Sequence, residues 1–199
     1  MPEPIRNPFV ILVDTAEGQP FTFTNFRADA DRNYAPLLIE TRSSNLGRYP
    51  NSLGDYTIDG CFGRVHVERK SMEDAWSTVL GWETGYETSR SLAGHRDRFE
   101  KELDNLSKIE AGLVVVEATR DQCLELMPAR GKKSIDENRK IFYRSTISFM
   151  QRFKVHWVWA SSRRAAEVDT FRWLERFWEK HLTAAERKQI KRAAKQEPW

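Results

Sequence analysis

Two short runs of the chain, PFVILVD at residues 8–14 and GLVVVEA at 112–118, stay apolar through their centres. A strand with one wet face alternates apolar and polar residues, so runs without alternation read as strands covered on both faces. LLIETR (37–42) and VHWVWA (155–160) add further strands. Helical patterns separate them: Phe99, Leu103 and Leu106 share one face of HRDRFEKELDNLSKI, while Phe142, Phe149, Met150 and Phe153, then Phe171, Leu174 and Trp178, mark two more helices. Strands alternating with helices predict an α/β fold, a central mixed β-sheet flanked by helices on both faces. In such sheets polar clusters at strand ends mark the site.

The connections are read from turn chemistry. TAEGQPFTFTNFRADADRNYAP is a loop with one short helix around Phe26–Tyr34, SNLGRYPNS is a turn, and GWETGYETSRSLAG interrupts a helix with glycines. CLELMPARGKKSIDEN reads as a loop carrying the basic residues Arg130, Lys132 and Lys133. A length of 199 residues with 40% hydrophobic content suits one core. Cys61 and Cys123 lie in no ligand spacing and are too few for a disulfide framework, which points to a reducing compartment. With no apolar run of about 18 residues and no leader-like start, the chain is expected to be cytoplasmic, with no membrane partner. The formal net charge of +3 permits a polyanionic partner without requiring one.

One hairpin carries the chemistry. DYTIDG and RVHVERK form its arms, with Gly60 and Gly63 in the turn. Along the second arm Val65 and Val67 point one way and His66, Glu68 and Lys70 the other. Burying such charges without partners costs several kcal/mol. Ser71 then caps a helix, with Asp74 at capping-box spacing. Asp14 at the end of the first strand, Asp55 at the start of the hairpin, and Glu68 with Lys70 can converge as three carboxylates and one ammonium. Carboxylate oxygens suit Mg²⁺ or Mn²⁺, and a metal there neutralises charge on a phosphodiester and activates water, with Lys70 stabilising the transition state.

Gly54-Asp55, a variable connection, then Glu68-Arg69-Lys70 and Asp74 four positions on, resembles the G-D-x(n)-E-R-K-x3-D signature of XPF-type structure-specific endonucleases, a branch of the PD-(D/E)xK nucleases. The resemblance implies a restriction-endonuclease-like fold, an Mg²⁺- or Mn²⁺-dependent endodeoxyribonuclease, and cutting at branched, flapped or single-strand-containing DNA. It implies catalytic roles for Asp55, Glu68, Lys70, Asp14 and Arg69, with metal on Asp55, Glu68 and Asp14. The first strand of that family often reads Val-Asp-Thr-Arg-Glu, and here VDTAEGQP has Ala16 in place of the arginine. The nuclease domain is assigned to 1–182 and a basic helical tail to 183–199, too short for the tandem helix-hairpin-helix unit of eukaryotic and archaeal members. That reads as a stand-alone form of the kind seen in bacteria or their phages.

Several residues keep two readings. Arg69 is a salt bridge across the sheet or a phosphate contact, Asp74 a cap or a ligand, Glu17 and His66 support to the site or neither. Arg96, Arg98 and Lys101 on a charge-rich helix, with Arg130, Lys132 and Lys133 in the loop, are the DNA-binding candidates, against a solvated face. The family works as dimers, so the expected partners are DNA, a second copy of this chain, and a separate DNA-binding or helicase protein. The alternative is a catalytically weak or inactive DNA-binding scaffold.

Overall fold

The computed structural model describes residues 2–47, 51–82 and 94–196. Its strands are β1 (Ile5–Asp14), β2 (Phe26–Arg27), β3 (Pro36–Ser44), β4 (Tyr56–Ile58), β5 (Val65–Lys70), β6 (Ala111–Val116) and β7 (His156–Trp159). They make one mixed sheet in the order β2-β3-β1-β4-β5-β6-β7. β1, β3, β5, β6 and β7 run one way, and β2 and β4 run against them. The carboxyl ends of β1 and β5 and the start of β4 therefore meet at one edge of the sheet.

The β6 run is buried on both faces, as its lack of alternation requires, whereas the β1 run sends Phe9, Ile11 and Val13 into one core and leaves Leu12 half-buried. On β6, Leu113 and Val115 join one core with Val65, Val67, Phe171, Leu174 and Trp178. Val114 and Val116 join the other with Phe99, Leu103, Phe142 and Phe149. The first core is covered by α5 (Arg163–Lys180), with α6 (Ala184–Gln196) contributing Ile190. The second is covered by α1 (Met72–Leu80), α2 (His95–Leu106) and α4 (Ile135–Phe153). Ser71, Ser134 and Ser162 cap α1, α4 and α5 by accepting hydrogen bonds from first-turn amides. No helix among the described residues is long and apolar enough to cross a membrane.

Two connections differ from their sequence reading. The segment expected to be a short helix around Phe26–Tyr34 is instead the two-residue β2, paired with Leu37 and Pro36, and one 3-10 turn at Ala30–Arg32. Phe26 is drawn into the core against Phe171, at a ring separation of 4.8 Å, and that fixes an extended entry. The stretch read as a loop from Cys123 holds the end of α3 (Arg120–Glu125), which opens on a capping box between Thr119 and Gln122, and the first residues of α4 from Ile135. The helix signal for α3 lies upstream, in the cap. Most of the glycine-broken stretch after α1 and the centre of the SNLGRYPNS turn lie outside the described residues.

Candidate active site

Strand register builds the site. Val13 pairs with Tyr56 and Tyr56 with Val67, so the chain next to each brings together Asp14 at the end of β1, Asp55 just before β4, and Glu68 on β5. The Asp14 N–H donates to the Asp55 carbonyl at 2.8 Å, and the Asp55 N–H to the Val67 carbonyl at 2.9 Å. Gly54 is required at this crossing. Its φ is +113°, and a Cβ there would lie 2.9 Å from the Val67 carbonyl oxygen and 3.0 Å from the Glu68 nitrogen.

On the α2 side of the sheet, Asp14, Asp55 and Lys70 line a cleft of about 400 Å³. The Lys70 ammonium contacts the Glu68 carboxylate, lies 3.5 Å from Glu102 on α2, and sits 5.0 Å from the centre of the Phe99 ring. Glu68 is only 4% exposed, so its charge is not dissipated in water. Burial pushes the Asp55 carboxyl up to about 7, although the Lys70 ammonium and the Arg69 N–H pull it down. Burial, then the charges of Asp55 and Glu102, raises Glu68 well above the carboxylate range. Burial alone would lower Lys70, but Glu68, Glu102 and Asp55 outweigh it and hold the ammonium protonated.

Arg69 projects to the opposite face, as alternation along β5 demands. Its guanidinium binds both oxygens of Glu17 at 3.2 Å and Glu117 at 2.7 Å, and lies over the Phe21 ring. Arg163 from α5 joins Glu117 at 2.7 Å. Of the two readings of Arg69, the side chain takes the salt bridge. Its backbone N–H serves the cleft, donating to Asp55 Oδ2 at 2.8 Å.

The other candidate residues scatter. The Asp14 carboxylate accepts the Leu46 N–H at 3.3 Å. Asp74 is exposed and exchanges hydrogen bonds with Ser71, which makes it the partner of the α1 cap. His66 is buried, its Nε2 accepting the Gly63 N–H at 3.1 Å, and burial lowers it to about 4. Arg96 ties α2 to the Val79 carbonyl and Ser145, whereas Arg98 lines the cleft beside His95. Lys101 pairs with Asp104 and faces a separate concavity with Arg152. Arg130 lies over Trp82, and Lys132 and Lys133 are exposed.

The sequence reading missed Glu102, Glu117 and Arg163. Glu102 had a signal: Phe99, Glu102 and Asn105 recur every third position and all line the cleft. Among the described residues no three His, Cys, Asp or Glu side chains are gathered to hold a metal by themselves, so the expected Asp14-Asp55-Glu68 set is not closed. Asp14 is turned toward Leu46. Two neighbouring carboxylates beside an open cleft nevertheless suit a hard divalent cation, which takes one or two carboxylates and keeps its waters.

No protein-family model matches the chain, and neither does any curated protein. Among solved structures, XPF from Aeropyrum pernix superposes with a TM-score of 0.53 at 14% identity, over 93% of this chain and 70% of that one. The fold is XPF-like. A structure of XPF from Aeropyrum pernix in complex with DNA aligns with a TM-score of 0.49 at 12% identity, over 96% of this chain and 80% of that one. Within this XPF-like sheet, the Gly-Asp pair leads into β4 beside the Glu-Arg-Lys residues of β5, with Glu68 and Lys70 on the cleft side and Arg69 behind them.

Proposed function

We propose that this protein is an Mg²⁺- or Mn²⁺-dependent DNA endonuclease that hydrolyses phosphodiester bonds in branched, flapped or single-strand-containing DNA. The observation that carries the reading is the gathering, at one edge of an XPF-like sheet, of Glu68 in contact with the Lys70 ammonium and of the buried Asp55 within reach of the ammonium's charge. Asp55 and Glu68 would hold the ion, which when bound supplies charge neutralisation and an activated water. Asp55 is kept aimed into the cleft by the Arg69 N–H. Lys70 stays protonated, so it is a fixed cation for phosphate oxygens rather than a general base. Arg98 lines the same cleft, where a cation can meet the strand's phosphates. Asp14, at the cleft wall, assists. A homodimer and a separate DNA-binding or helicase partner belong to the same proposal.

A second reading, a DNA-binding scaffold with weak or no catalysis, is favoured by Ala16, which lines the cleft where the resembling family often carries arginine. End-labelled fork, flap, single-stranded and duplex DNA, incubated with Mg²⁺, Mn²⁺ or EDTA, separates the two. Metal-dependent cutting lost in Glu68→Ala and Lys70→Ala supports the nuclease. Binding without cutting in either metal supports the scaffold.

A further inference from the structure

Lys70 has carboxylate partners on two different elements: Glu68 two residues away on its own strand, and Glu102 on α2. The proposed reaction, on which this inference rests, engages Glu68 with a cation. Lys70 would then lose its first partner while remaining largely buried, at 16% side-chain exposure. Glu102 does not share that commitment. Its Oε1 accepts a hydrogen bond from Ser52 Oγ at 3.0 Å, leaving Oε2 toward Lys70. One turn on, Asn105 Nδ2 donates to the Ser52 carbonyl at 3.1 Å. Glu102 and Asn105 thus grip a residue three positions before Asp55, and Phe99, on the same helix stripe, lies against the ammonium.

We infer that Glu102 is a positioning residue: it holds the Lys70 ammonium in the cleft when Glu68 is engaged elsewhere, and fixes the approach to Asp55 through Ser52. Helix α2 is firm enough for this, since Arg96 bonds the Val79 carbonyl at 2.9 Å and Ser145 at 3.3 Å. A carboxylate on a separate, braced helix keeps its place while a strand side chain changes partner. Geometric precision of this kind matters, because misplacing a reacting group by about 1 Å can cost roughly 100-fold in rate.

The test follows the Lys70 ammonium in the full chain by ¹H–¹⁵N correlation, assigned by its loss in Lys70→Arg, in EDTA and in saturating Ca²⁺. Wild type keeps the solvent-protected signal in both conditions. Glu102→Gln, which retains an acceptor for Ser52 but removes the charge, keeps it in EDTA through Glu68 and loses it in Ca²⁺. Retention of the signal in Ca²⁺ by Glu102→Gln, or its loss there by wild type, overturns the inference. If Glu102→Gln does not fold, Ser52→Ala untethers the same carboxylate and is expected to give the same calcium-dependent loss, with retention counting against it. In cleavage assays with Mg²⁺, Glu102→Gln lowers kcat roughly 10- to 100-fold with the KM for DNA unchanged, and an unchanged kcat also overturns the role. Wild type that cuts no substrate defeats the nuclease reading, and the Ca²⁺ comparison then decides on Glu102 alone.

Discussion

Arg69 donates its backbone N–H to the Asp55 carboxylate at 2.8 Å while its guanidinium lies on the far side of the sheet between Glu17 and Glu117. One residue therefore serves two faces. The β4–β5 ladder is short, with Tyr56 opposite Val67, and past it the Asp55 side chain takes the place of a strand partner for the Arg69 amide. The acid is thus part of the sheet's own hydrogen bonding.

The Arg69 side chain is 8% exposed, and those of its partners Glu17 and Glu117 are 7% and 10% exposed. Removing one partner of such a buried pair leaves uncompensated charge and costs about 3–5 kcal/mol. Arg69→Ala is expected to lower the melting temperature by roughly 10 °C in a chain of this size. Arg69→Lys should recover little, because a single ammonium cannot span two carboxylates as the fork does. Thermal melts in EDTA would measure this, and a loss under about 1 kcal/mol would mean that the network behaves as a surface pair.

Gly54→Ala places a Cβ 2.9 Å from the Val67 carbonyl oxygen at a φ of +113°. Strain from such a backbone is about 1–3 kcal/mol, and the clash is with backbone that cannot rotate away. The variant is expected to unfold at lower urea and, where it remains folded, to bind divalent cation more weakly, since Asp55 is the next residue. Unchanged stability and cation affinity would show that Gly54 is free to be any residue.

The alternation of VHVERK and the unbroken apolar runs made the central strands, the two-sided helix packing and the opposite orientations of Lys70 and Arg69 legible in sequence. Local signals could not supply what distant elements add. Glu117 directly follows β6 much as Asp14 ends β1, and reading it by the same rule would have found the partner of Arg69. Glu102 sat in a helix crowded with charges, where only the three-residue stripe with Phe99 and Asn105 set it apart. Arg96 looked the same as Arg98 in sequence, yet contacts with Val79 and Ser145 fix it between helices. Such a difference depends on tertiary packing that no short pattern encodes.

His66 offers a pH test away from the cleft chemistry. Burial lowers it from 6.5 to about 4, so between those values the unfolded chain binds a proton that the folded chain refuses. Its contribution is intact above 6.5 and is lost as pH falls toward 4, about 2–3 kcal/mol across the window. His66→Gln retains an acceptor for the Gly63 N–H and cannot titrate. Its urea midpoint is expected to fall less than that of wild type between pH 7 and 4.5. Parallel profiles would refute the assignment.

The cleft acids give the opposite sign. Asp55 is raised to about 7 and Glu68 is raised as well, so in EDTA the folded chain holds protons that the unfolded chain has released. That contribution is present at low pH and is lost as pH rises through about 7. On the proposed reading a divalent cation takes the ionised acids and must displace those protons, so its affinity is expected to rise over the same interval. Saturation at about 100 times the Kd stabilises the fold by about 2.7 kcal/mol. At one fixed Mn²⁺ concentration, the gain in melting temperature over EDTA is therefore expected to be larger at pH 8 than at pH 6. Asp55→Asn removes one donor and should abolish the gain at both. Equal gains at the two pH values, or a gain that survives Asp55→Asn, would place the cation away from this cleft.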